Sequence, residues 1–170
     1  DNYVCTENID TVTAISPSNQ GISDLTGIED FTDLFGLNFQ GNQITSLNLS
    51  SNTALYYLDC AGNPLTSFDL SQNTALHTLK CNGNQLISLD VSANINLQIL
   101  NCSGQGIYPT TSITSLNLGS FIPLTLLLNA TQMQGSGLTI HVGTPQRVAQ
   151  AQNAFTVGNG SISAGTTFAI

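Results

Sequence analysis

Apolar and polar residues alternate along this chain in short bursts, and the bursts recur. LFGLNFQGNQI from Leu34, LYYLDCAGNPL from Leu55 and LHTLKCNGNQL from Leu76 share one pattern. Each has apolar residues at its first, fourth, sixth and eleventh positions. Apolar side chains two apart, with polar ones between, mark a strand with one buried face. In the copy from Leu76, Leu79 and Cys81 are expected to point inward, and Thr78, Lys80 and Asn82 outward. The second part of each copy repeats the alternation as TSLNLSSN, TSFDLSQN and ISLDVSAN. There Leu47 and Leu49, Phe68 and Leu70, and Leu89 and Val91 are expected inward. No 3.6-residue periodicity runs through either part, so extended segments are predicted on both sides and few helices anywhere.

Three copies, over 34–54, 55–75 and 76–96, are equal in length and align without gaps. A fourth starts at Leu97, takes an insertion over 108–113 and resumes as TSLNLGSFIP. Read this way it runs over 97–123, and the next copy begins at Leu124. Upstream, VTAISPSNQGISDLTGIEDFTD is a degenerate version over 12–33, one position longer than the regular copies. Asn42, Asn63 and Asn84 recur at the ninth position, with Gln105 as an imperfect last rung. An amide there can bond backbone groups and the Asn of the next coil. Asn52, Asn73 and Asn94 form a second such row, one per copy. Gly41, Gly62, Gly83 and Gly104 precede the first row, where a tight bend favours a residue without Cβ. Stacked copies of this kind bury a continuous core only against one another, which makes a solenoid of about five coils with caps. The expected division is an N-terminal cap over 1–33 containing the degenerate repeat, repeats over 34–128, and a C-terminal cap over 129–170. A helical turn is predicted around 28–33, a strand in LTIHV, a helix from Pro145 and a strand pair near the end.

The L-x-x-L-x-C/F-x-x-N-x-L/I pattern, at a period of about 21 residues, is the leucine-rich-repeat signature. With the LTSLDLSxN half that follows, it resembles the short repeats of secreted and cell-surface bacterial proteins, of the type common in Bacteroidetes. GISDLTGIEDFTDL, from Gly21 to Leu34, resembles that family's lead-in to the repeat array. The resemblance implies a right-handed superhelix with a parallel concave sheet, exported or displayed at the surface, with a role in adhesion and no catalysis.

Composition narrows the partners. Two Lys plus Arg against ten Asp plus Glu give a net charge of −8, and charged residues make up only 7%. Nucleic acid needs phosphate-neutralising cations that this chain lacks. No apolar run approaches the roughly 20 residues of a membrane span, so no membrane insertion is expected. The sequence starts at Asp1 with no charged-then-apolar leader, so any signal peptide is expected to have been removed or left out.

Cys60, Cys81 and Cys102 recur at the sixth position, where Phe39 stands one coil earlier. A site that accepts phenylalanine wants an apolar filler, so stacked buried thiols are expected. A disulfide needs Cβ vectors that face each other, and three ligands in a line do not converge on zinc. Cys5 is either a lone thiol or the mate of a cysteine outside this sequence. His77 and His141 sit at non-equivalent places, with no hydrolase or metalloprotease motif around them. Glu29, Asp30 and Asp33 suit the start of a short helix, with calcium the alternative. No metal, cofactor or catalytic group is expected.

The outward positions remain. Tyr56 and His77 flank the concave strands beside Phe35 and Gln98. Tyr57, Thr78 and Ile99 form the next column, Asp59, Lys80 and Asn101 another, and Asn82 lies beyond them. These nine, Tyr56, Tyr57, Asp59, His77, Thr78, Lys80, Asn82, Ile99 and Asn101, are the candidate ligand face, because aromatic side chains anchor partners at small entropy cost. Asp59 and Lys80 are expected to pair across coils. The expected partner is a protein or a glycan, met by a monomer. Two rivals stand beside this: a structural spacer in a larger surface protein, and ice or crystalline-polymer binding through the convex columns. Those columns are Thr45, Thr66 and Thr114, broken by Ile87, and Ser46, Ser67, Ser88 and Ser115.

Overall fold

The computed structural model describes residues 11–104, 113–119, 127–129, 139–141 and 167–169. The repeat folds as read, into short strands that pair in parallel from coil to coil. One sheet contains β1 (Ala14–Ile15), β2 (Gly36–Asn38), β3 (Tyr57–Asp59), β4 (Thr78–Lys80), β6 (Ile99–Asn101) and β8 (Leu127–Asn129), in that order. The opposite side of the coil carries a second parallel sheet. Its strands are β5 (Ser88–Asp90), β7 (Ser115–Asn117), β9 (Thr139–His141) and β10 (Thr167–Ala169). The only helix among the described residues is a 3-10 turn at Ile28–Asp30, shorter than the predicted turn. β9 forms within the predicted LTIHV strand, and β10 lies parallel to it. The helix expected from Pro145, Cys5 and Gln105 lie outside the described residues.

Register confirms the repeat length where the pattern is strong. Tyr57 pairs with Thr78, Leu58 with Leu79 and Asp59 with Lys80, each with its equivalent one copy on. Ala14 pairs with Gly36, which places the degenerate copy as a true first coil. The reading fails at β8. Leu100 pairs with Leu128, so the fourth copy runs over 97–124 and the next starts at Thr125, just past the expected Leu124. The run LTLLLN offers an apolar residue at nearly every position. Alternation cannot set the register of such a strand; coil-to-coil hydrogen bonding does.

The core is a stack of near-identical layers. In the coil from Leu55, Leu55, Leu58, Cys60, Leu65 and Leu70 are all at most 1% exposed. Each leucine contributes about 1.5–3 kcal/mol by burial, an upper value because the unfolded chain also hides apolar surface. Leu47 and Phe68, predicted inward, are half-buried against this core.

Asparagine closes each turn, though not by side-chain pairing across coils. Asn84 Nδ2 donates to the Cys60 and Cys81 carbonyls, and its Oδ1 accepts from the Leu65 N–H. Asn63 does the same with Phe39, Cys60 and Ile44. In the second row, Asn73 Nδ2 reaches the Leu49 and Asn52 carbonyls, and Asn94 reaches those of Leu70 and Asn73. Here the Oδ1 atoms of Asn52, Asn73 and Asn94 are buried without a hydrogen bond. Gly41, Gly62, Gly83 and Gly104 hold φ between 56° and 68°, and Asn19 takes the same bend at 55° in the first coil. Asn tolerates this region better than other side chains, which explains how the degenerate copy keeps the turn.

Candidate functional site

The nine predicted residues fall into two distinct groups. Tyr56 and His77 lie at the rim of the concave sheet, in a column with Phe35. Phe35 and Tyr56 stack with ring centroids 4.7 Å apart and planes 7° apart. Tyr56 and His77 follow at 4.6 Å and 12°. Parallel strands place successive side chains of one column about 4.8 Å apart, so identical rotamers become stacked rings. Phe35 is 52% exposed and Tyr56 36%, so the row presents aromatic surface to solvent.

The second group lies on the sheet itself. Tyr57 OH donates to Asp59 Oδ2 at 3.1 Å. Lys80 Nζ donates to Tyr57 OH at 3.2 Å, lies 3.5 Å from Asp59 Oδ2, and stands 5.5 Å from the Tyr57 ring centroid. The bond to Tyr57 raises the Lys80 ammonium above the ordinary lysine value, with Asp59 adding to it. Asp59 was expected at the surface, yet its side chain is 4% exposed. Tyr57 and Lys80 close over it, so the simple cross-coil pair is in fact a three-membered network around a buried carboxylate. Thr78 is buried too, its Oγ1 3.1 Å from His77 Nδ1. It offers a ligand little surface. Ile99, Asn82 and Asn101 remain half-exposed further along the sheet.

Position five carries a second task that the alternation did not reveal. Asn38 Oδ1 accepts the Gln40 N–H, Asp59 Oδ1 that of Ala61, and Asn101 Oδ1 that of Ser103. Each acid or amide there ties the strand's exit to itself. The convex half repeats this at Asn48, Asp69, Asp90 and Asn117. The D/N-x-S/A/G/Q spacing was the available signal.

The cysteine column is buried as expected, and Cys60, Cys81 and Cys102 remain thiols with no disulfide between them. Burial pushes all three up, Cys102 to about 12, which keeps them protonated at neutral pH in the folded chain. Glu29 and Asp24 spend their carboxylates on the nearby loop: Glu29 accepts the Gly27 N–H, and Asp24 the Thr26 N–H and hydroxyl. Both line a shallow cleft of about 250 Å³ at the N-terminal shoulder. Among the described residues no three His, Cys, Asp or Glu side chains come together as a metal site. His141 lies in β9, away from His77. No helix among the described residues is long and apolar enough to cross a membrane.

No protein-family signature and no curated protein matches this chain. Solved structures do. InlJ of Listeria monocytogenes, whose functional domain includes a cysteine ladder, aligns over 81% of this chain and 45% of its own, at 24% identity and TM-score 0.45. An internalin, InlF, from the same species aligns over 86% and 60% at 18% identity and TM-score 0.50. A Shigella effector leucine-rich-repeat domain aligns over 95% and 82% at 17% identity and TM-score 0.51. The fold is that of a leucine-rich-repeat solenoid with parallel sheets and, among the described residues, almost no helix. This chain spans about half the length of the two Listeria proteins.

Proposed function

We propose that this chain is a non-catalytic recognition module that acts after secretion or at a cell surface and holds a protein or glycan ligand on its concave face. One observation carries the reading: the stacked Phe35–Tyr56–His77 row, exposed at Phe35 and Tyr56, runs beside a preformed Tyr57–Asp59–Lys80 network. Exposed aromatic area has a hydration cost, and a face whose polar groups are already oriented binds without paying to order them. The repeat's likeness to those of exported bacterial proteins supports the location. The test is a combined glycan and surface-protein array probed with wild type and with the Tyr57→Ser/Lys80→Ser variant. A hit weakened at least about tenfold in the variant is expected, equivalent to about 1.4 kcal/mol. A hit that the variant keeps unchanged would put the ligand elsewhere. Silence from wild type would favour the structural-spacer reading.

A further inference from the structure

The concave face is not level. At position three the first two coils carry Ala14 and Gly36, while the next carries Tyr57. Gly36 has an ordinary backbone conformation, and a Cβ added there would meet nothing nearer than the Ala14 Cβ, at 4.0 Å. At the rim column, exposed Thr13 lies next to exposed Phe35, whose backbone N–H donates to the Thr13 carbonyl. Tyr56 stacks on one face of the Phe35 ring, which nonetheless stays 52% exposed. The N-terminal end of the sheet is thus a ledge with a floor of Thr13, Ala14 and Gly36. Aromatic rings of Phe35 and Tyr57 bound it, and Asn38 lies alongside, its Oδ1 held by Gln40 and its Nδ2 left as a donor.

Building on the recognition reading, we infer that the ligand is a neutral glycan and that one sugar ring sits on this ledge, its apolar C–H face against the Phe35 ring. Two features select that occupant. Hydroxyl and amide groups beside an aromatic ring complement a molecule that is apolar on its ring faces and studded with hydroxyls at its edge. Charge argues for neutrality: the cation on the face, Lys80, is matched by Asp59, and the molecule's net charge of −8 repels polyanions.

The experiment titrates the full chain with cello-, laminari-, xylo-, manno- and chito-hexaose, and with heparin and oligogalacturonate fragments, by calorimetry and amide NMR. At least one neutral hexaose is expected to bind and to shift the Gly36 amide. Gly36→Leu, whose Cβ meets nothing nearer than 4.0 Å, should weaken it at least about tenfold, while Gly36→Ala stays within about threefold. Circular dichroism and urea midpoints confirm that both variants fold. Binding that Gly36→Leu leaves intact overturns the ledge. Binding to the anionic fragments alone overturns neutrality. If no neutral hexaose binds, the inference fails; should a protein on the array then be lost with Tyr57→Ser/Lys80→Ser, the recognition reading stands without it.

Discussion

Single side chains hold each turn of this solenoid, and their hydrogen bonds rank their worth. Asn84 uses both ends of its amide, whereas Asn73 uses only Nδ2 and leaves Oδ1 buried and unpaired. Removing Asn84 strands one N–H and two carbonyls, at about 1–3 kcal/mol for each group that water cannot reach. Asn84→Ala should therefore cost at least about 3 kcal/mol, and roughly 1 kcal/mol more than Asn73→Ala, in urea unfolding. Equal costs would contradict the asymmetry between the two rows. The thiols set an alkaline limit. Their folded values lie above the ordinary 9.0, because burial disfavours the thiolate. Past that pH the unfolded chain sheds protons that the folded chain keeps, so stability falls as pH rises through the folded values. Each thiol contributes up to about 1.4 kcal/mol per pH unit. Urea midpoints that stay flat from neutral pH to about 10.5 would contradict this, and Cys102→Val should flatten the decline by roughly a third.

At the scale of the element, strands this short cannot stand alone, so neighbours and turns define them. Cys60 N–H bonds to the Lys80 carbonyl and Gly62 N–H to that of Asn82, which extends coil-to-coil pairing past β3. Gly62 can do this only at φ 64°, and Gly83 at 68°. In Gly83→Ala the new Cβ would sit at ordinary contact distance, 3.5 Å from Gly62 backbone atoms, so the expected loss of about 1–2 kcal/mol comes from the positive φ. A thermal midpoint matching wild type would show that the turn relaxes. On the sheet face, Tyr57→Phe and Lys80→Met should be non-additive by about 0.5–1 kcal/mol, because both act through Asp59. A double-mutant cycle measures that coupling; additivity would mean that solvent, rather than the network, satisfies the carboxylate.

The whole molecule is a stack whose coils bury their faces against each other, with few charges on its surface. Long-range steering is correspondingly weak. Affinity for a neutral ligand should change less than about threefold between roughly 50 and 500 mM salt. A steep salt dependence would assign the acidic residues of the N-terminal cap a part in binding.

Repeat length, inward positions, the glycine bends and the buried cysteine column were legible in the sequence, because repetition at a fixed spacing forces equivalent residues into equivalent environments. Legibility ended where that repetition did. The register of β8 is invisible in LTLLLN, since every frame of an apolar run looks alike, and only hydrogen bonding to β6 selects one. The candidate face shows the same boundary. Its columns follow from spacing, but Asp59 and Thr78 proved buried because neighbouring side chains fold over them, which no alternation rule registers. The division of the face into a stacked rim and a polar network, and the ledge where Ala14 and Gly36 fall short of Tyr57, likewise arise between coils. Sequence determines what each position presents; the stacking of one coil on the next decides what remains open to a ligand.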